Sequence, residues 1–454
     1  MEIVNKVEWN AVREEVTNHL QELIRIDTTN PPGNEIRCAD YIAGVLQSEG
    51  IEYKVTESTP GRGNVTARLE GGCKAPLMLL GHTDVVAAES EKWTHPPFSG
   101  ELVEGVVWGR GALDMKNMVA AELMVFLLFR RLGLSLNRDL IYAATADEEA
   151  GKGNHGIGWL LDNFPDQVEA PYVLTEGGGN ERRIGNTSFF TIQTGQKGIC
   201  RFRLHARGRP GHGSVPHRDN AVVKLSRVVA ALGQTILPIH PSPTLKAYIE
   251  GIAEHQNVEA AERLRAILDS EKSEKALSQA PLPETEIASL NSLLRNTVSP
   301  TIIAAGTKIN VIPGDAVAWV DGRLAPGQTE ESFFEEIYPF LGKDVFVEVD
   351  QYSPPIEAEI GSALYETIVS VMGEHVPEAR IIPSIMTGGT DAKHIIPRKP
   401  ETQVLGFMPL REMSGKDEEA NLIHGHNERI SVENLLFATK VLFDVVKSFC
   451  GVAK

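Results

Sequence analysis

The stretch Pro76-Leu77-Met78-Leu79-Leu80-Gly81-His82-Thr83-Asp84 passes directly from a strand-length apolar run into ionisable residues. Two further runs end the same way. Residues 140–146 lead into Asp147-Glu148-Glu149, and Tyr172-Val173-Leu174-Thr175 leads into Glu176. Residues 12–24 and 37–49 have helical spacing, and Gly50 stops the second of these segments. Such βα alternation predicts an α/β fold, a mainly parallel sheet with helices on both faces. Ligands of open α/β sheets sit beyond the carboxyl ends of the strands. Three strands are therefore expected to deliver their polar groups to one edge.

Farther out, the longest apolar run, residues 118–129, is interrupted by Glu122 and followed by Arg130, Arg131 and Gly133. It is too short to span a bilayer, which takes roughly 20 residues, and reads as a buried helix with a glycine stop. From about residue 195 the pattern changes. Residues 199–205 alternate like a half-buried strand, 220–232 read as a helix, and 253–294 are charged and helical in character. Strand-like 317–324, helical 330–341 and strand-like 345–349 follow. A β-α-β-β-α-β order of this kind predicts a ferredoxin-like α+β domain with a helical insertion. Residues 353–454 return to α/β segments and end in a helix at 432–449. Residues 195–352 are thus expected to interrupt a domain built from 1–194 and 353–454.

The whole chain, 454 residues with 42% apolar and 23% charged, has the balance of a globular protein of two domains. A net charge of −17 argues against a nucleic-acid partner, which needs a basic footprint. The start, MEIVNKVEWN, is charged where a signal peptide needs an apolar stretch. Cys38, Cys73, Cys200 and Cys450 are far apart and form no CxxC pair. A reduced, cytoplasmic protein without a membrane span is expected.

The chemistry lies at the strand ends. His82 and Asp84 point to one side of an extended chain, and a carboxylate orients a histidine for metal binding; alone, HxD is a weak signal. In Gly109-Arg110-Gly111-Ala112-Leu113-Asp114, the glycines permit a turn that presents Asp114 ahead of the buried helix, where it could equally cap that helix. Asp147, Glu148 and Glu149 repel one another unless cations neutralise them. Beside a metal, one carboxylate can ligate while its neighbour works as a base. Glu176 precedes three glycines, and His424-Gly425-His426 offers two histidines, a residue type often used to bind zinc. Together these groups suffice for two metals about 3.5–4 Å apart, bridged by a carboxylate.

The stretches GHTDVV, GRGALDMK, ADEEAG, TEGGG, GRPGHGSVPH, TKINVIPGDAVAWVDGRL, TGGTDA and HGHNERI come in one order between about residues 25 and 435. As a set they resemble the zinc metallopeptidase family of acetylornithine deacetylase, succinyl-diaminopimelate desuccinylase, aminoacylase and glutamate carboxypeptidase. The resemblance implies a zinc-hydrolase catalytic domain with an inserted lid and dimerisation domain. It implies two zinc ions, replaceable by cobalt or manganese, with Asp114 bridging. His82 and Glu176 would complete one site, and Glu149 and His424 the other; the leading position in the motif selects His424 over His426. Asp84 would hold the His82 imidazole, and Glu148 would be the general base. His212 would reach the active site of a partner subunit and steady the oxyanion. Asn310, Arg323 and the Gly388-Gly389-Thr390 loop would meet the substrate carboxylate. The expected activity is removal of the acyl group from an N-acyl amino acid by a homodimer, with dipeptidase or carboxypeptidase action as the alternative, and Glu176 tilts the choice toward N-acyl substrates. A non-catalytic metal-binding relative would be expected to lack Glu148 or a ligand, and here every position is filled.

Overall fold

The run at residues 76–80 lies inside the strand Lys74–His82 of the computed structural model, which describes residues 7–149, 154–412 and 422–451. Ala150 and Gly151, the end of ADEEAG, fall outside the described residues. Lys74–His82 pairs in parallel with Arg138–Thr145 on one side and Tyr172–Thr175 on the other. Gln403–Gly406 continues the parallel set beyond Tyr172–Thr175. Gly63–Leu69 and then Tyr53–Glu57 add antiparallel strands beyond Arg138–Thr145. The sheet is thus mixed, with the expected parallel order at its centre. Its central strands are almost wholly buried, which is why they read as continuous apolar runs rather than alternating ones.

Register decides where the polar groups go. His82 lies opposite Thr145 and Leu79 opposite Leu174, so His82, the turn after Thr145 and the turn after Thr175 leave the sheet at one edge. The helix Lys116–Leu132 packs against Trp9–Arg25 and Val432–Cys450, and residues 116–129 are all buried. Gly133 ends it at φ 60°, a left-handed conformation that glycine adopts without strain, with its N–H bonded to the Arg130 and Phe129 carbonyls. Among the described residues no helix is long and apolar enough to cross a membrane.

The chain divides into two compact units, Met1–Gln193 with Ala358–Ile382 and Thr390–Lys454, and Thr194–Glu357 with Pro383–Gly389. In the second unit four antiparallel strands lie in the order Thr297–Ala305, Asp315–Leu324, Gly198–Arg207, Val345–Ser353. Helices Ala221–Gln234 and Glu330–Leu341 cover one face through Phe202, Leu204, Leu225, Val320, Phe333 and Ile337. Numbered along the chain, the strand order is 4-1-3-2 with helices after the first and third strands, which is the ferredoxin-like arrangement. The helical insertion opens at Pro243–Ala253, capped by the Ser242 hydroxyl, and continues through Val258–Ala266, Ser273–Ser278 and Glu284–Leu293.

Candidate metal centre

Five side chains of the first unit converge beyond the strand ends. His82, Asp114 and Glu176 each offer a ligand atom within 4.8 Å of the others, and so do Asp114, Glu149 and His424. Asp114 belongs to both groups. Its Oδ1 lies 3.2 Å from His82 Nε2 and its Oδ2 lies 3.2 Å from His424 Nε2. His424 Nε2 is also 3.1 Å from Glu149 Oε1, and Glu176 Oε1 is 3.7 Å from His82 Nε2. His426 belongs to neither group; its Nε2 meets Glu89 at 3.0 Å.

A small three-stranded sheet makes this meeting possible. Arg429–Ser431 pairs with Val106–Trp108, which pairs with Glu101–Val103. The turn carrying Asp114 and the loop carrying His424 flank those paired strands, although over three hundred residues separate them in sequence.

The donor set fits divalent cations. Burial and the charge of Asp114 push the Glu176 carboxyl up to about 8. Hydrogen bonds that the Asp114 and Glu149 carboxylates accept from His424 raise its pKa to about 10. Burial also raises Glu149, against the hydrogen bond with His424. Packed carboxylates share protons with neighbouring imidazoles when no other positive charge balances them. Nitrogen and carboxylate donors in two triads sharing one aspartate are suited to zinc, and also to manganese or cobalt.

Asp84 is fully buried and serves two sides. His82 Nδ1 lies 3.0 Å from the Asp84 carbonyl oxygen and 3.4 Å from its Oδ1. The same carboxylate accepts the Glu148 N–H at 3.1 Å, the Glu149 N–H at 3.0 Å and Asn30 Nδ2 at 2.8 Å. Burial works to raise its pKa, and the bonds from His82, Asn30 and the Glu149 N–H outweigh it, leaving about 2. Asp84 therefore ties the His82 ring to the turn that bears Glu148 and Glu149.

The acidic triplet splits three ways. Asp147, at φ 69°, accepts Arg62 Nη2 at 2.8 Å and Asn30 Nδ2 at 3.0 Å. Glu148 faces Lys393, whose Nζ lies 2.5 Å from Oε1 and 2.9 Å from the Glu148 carbonyl. Glu149 turns to His424. The repulsion expected of three adjacent carboxylates is relieved by a different cation at each position. Sequence reasoning missed Asn30, Arg62 and Lys393. The clues were the polar residues of TTNPPGNE and the lysine directly after TGGTDA.

Thr390 is buried at the head of the helix Ala392–Ile395, where its hydroxyl accepts the Ala392 N–H at 3.2 Å. Gly389 stands just before it, at the end of a segment of the second unit. His212 and Asn310 are neighbours in that unit. His212 pairs across a two-residue ladder with Val311, and the Asn310 carbonyl accepts the Gly213 N–H at 2.8 Å. Both residues are exposed. Arg323 is committed to its own strand, with Nε 2.6 Å and Nη2 3.2 Å from the Asp321 carboxylate.

Residues 78–448 match the family model described as peptidase family M20/M25/M40. An N-fatty-acyl-amino acid synthase/hydrolase of Xenopus tropicalis is 29% identical over 389 residues, covering 82% of this chain and 72% of that protein. A succinyl-diaminopimelate desuccinylase of Paracoccus denitrificans is 37% identical over 212 residues, 43% of this chain and 53% of its own length. Among solved structures, an M20 family metallo-carboxypeptidase from Sulfolobus solfataricus superposes with a TM-score of 0.69 at 18% identity, covering 96% of this chain and 99% of that one.

Proposed function

The chain belongs to peptidase family M20/M25/M40, metallohydrolases of amide and peptide bonds, and from that premise we propose that it deacylates N-acyl amino acids. The observation that carries the reading is Asp114, with one carboxylate oxygen toward His82 and the other toward His424. His82, Asp114 and Glu176 would hold one zinc ion, and Asp114, Glu149 and His424 the other. Bound zinc supplies Lewis acidity, polarising a carbonyl and making water acidic near neutral pH.

The chain's own residues do the rest. Glu148, the one carboxylate of the edge turn directed to neither triad nor Arg62, is the general base. It takes a proton from the attacking water as the oxygen adds to the amide carbon, then passes that proton to the departing nitrogen as the C–N bond breaks. The products are a carboxylate and a free amino acid. Lys393 holds Glu148 in place through its carboxylate and its carbonyl. His212, contributed across a homodimer, would donate to the oxyanion, with Asn310, Gly389, Thr390 and Arg323 toward the substrate carboxylate. Asp321 takes Nε and Nη2 of Arg323, so bidentate binding of a substrate carboxylate would require that pair to loosen.

The acyl-amino-acid class is supported by the hydrolase named above and by a glutamate, rather than an aspartate, at position 176. The test is an assay of zinc-loaded protein against N-acetyl, N-succinyl and long-chain N-acyl amino acids together with dipeptides. Wild type is expected to release free amino acid from an N-acyl substrate. Glu148→Gln, binding the same two ions, is expected to lose about 10²–10⁴-fold in kcat. Cleavage confined to dipeptides would overturn the substrate class. Full activity of Glu148→Gln would overturn the base.

A further inference from the structure

Arg110 and Glu428 form an ion pair at 2.6 Å with side chains 2% and 0% exposed. We infer that this pair is a positioning clasp that sets Asp114 and His424 as a matched couple for the second metal ion. The inference rests on the ligand reading proposed above.

Each partner holds one of the two ligands by its backbone. Glu428 Oε1 accepts the Leu113 N–H at 2.7 Å and the Asp114 N–H at 3.0 Å, while its Oε2 takes Arg110 Nη1. Arg110 Nη2 donates to the His424 carbonyl at 3.2 Å and the Gly425 carbonyl at 3.0 Å. The Gly109 N–H closes the ring on the Glu428 carbonyl at 2.9 Å. Asp114 and His424 are thus joined through a continuous path of backbone–side chain bonds that uses neither ligand's own side chain.

Burying both charges carries a desolvation cost that a well-packed neutral pair avoids, so such a pair is weak evidence of a stabilising role. His424 also has φ 59°, a left-handed conformation that a residue with a Cβ keeps only when its surroundings over-determine it. The clasp holds both carbonyls at that bend. The His82 half is built differently, because a central strand and Asp84 fix it. Asp114 is shared but His424 serves the second triad alone, so disturbing the clasp should loosen the second site more than the first.

The experiment uses the full chain and measures zinc retained against chelators of graded strength, with thermal unfolding of the metal-free protein as the fold check. Arg110→Met/Glu428→Gln removes both charges together. Arg110→Lys keeps a charge but loses the fork spanning Glu428 and two carbonyls, and so serves if the double variant does not fold. Either variant is expected to bind the ion of the His424 triad about 10–100-fold more weakly and to weaken the other, which shares Asp114, by less. His424→Ala is the reference and should lose that same ion. Wild-type retention of both ions by the clasp variants, with one lost in His424→Ala, overturns the clasp and leaves the ligand reading intact. Equal weakening of both ions overturns its selectivity. Two tightly held ions in His424→Ala would overturn the ligand reading and the clasp with it.

Discussion

His82 and His212 are both histidines next to a glycine, yet they live in opposite circumstances. His82 is 1% exposed, and each ring nitrogen already faces an oxygen, Nδ1 the Asp84 carbonyl and Nε2 Asp114. His212 is exposed on a two-residue strand, and among the described residues its ring bonds to Ser214, Nδ1 accepting the hydroxyl at 2.7 Å and the N–H at 3.2 Å. The contrast extends to their neighbours. Around His82 the carboxylates of Asp84, Asp114 and Glu176 all face its buried ring, whereas Asn310 is solvent-facing and Arg323 is bonded to Asp321. A group that must hold a cation gains from being placed before the cation arrives. A group that must meet a substrate's developing charge is free to be placed late.

The widest test of this difference is His212→Ala. Loss of an oxyanion donor is expected to lower kcat about 10²–10³-fold, with zinc content and thermal midpoint unchanged because the side chain is exposed. A parallel fall in metal content would break the comparison by tying His212 to the metal's own frame. A fully active monomer, shown by sedimentation with assay, would remove the need for the residue across subunits.

Lys393→Met probes the buried side with a smaller effect. Lys393 is the cation facing Glu148, and its loss is expected to cost about 10–100-fold in kcat, the range for outer partners of a metal site. Both ions should stay bound, and Lys393→Arg should recover part of the loss. If KM rises instead while kcat holds, Lys393 belongs with the substrate-binding groups, and the buried side is less committed than its geometry implies.

The legibility of the two regions in sequence follows the same line. Strand ends were readable because apolar runs stop abruptly at His82, Asp147 and Glu176, and the buried helix was readable because Gly133 ends it. The fates of Asp147, Glu148 and Glu149 were not, since their cations lie elsewhere in the chain: Arg62 is 85 residues from Asp147, and Lys393 is 245 from Glu148. Arg110 and Glu428, 318 apart, each looked like an ordinary motif neighbour. In the second unit the strand Thr297–Ala305 escaped notice for a local reason. It carries Pro300, its register shifts between Pro300 and Ile302, and most of it is exposed, so it lacks the alternation of a covered strand. Short-range chemistry was visible, and long-range neutralisation was not.

The smallest effect is expected where an ion pair serves neither region. Arg131 bonds both Glu15 oxygens at 2.7 Å and also meets Glu49 at 2.6 Å, with all three side chains partly exposed. The hydrogen bond from Arg131, aided by His19, lowers the Glu15 carboxyl from 4.5 to about 2. A carboxylate depressed on folding contributes stability above its unfolded pKa and loses it as pH falls toward the folded value. Glu15→Gln should therefore reduce unfolding free energy near neutral pH by no more than about 1 kcal/mol, given solvent screening. That difference should shrink between pH 4.5 and about 2 and diminish with added salt. Activity and zinc retention should not move. If this variant weakened metal binding as the clasp variants are expected to, burial would not be what separates a positioning ion pair from an incidental one, and the distinction between His82's surroundings and the rest of the surface would fail.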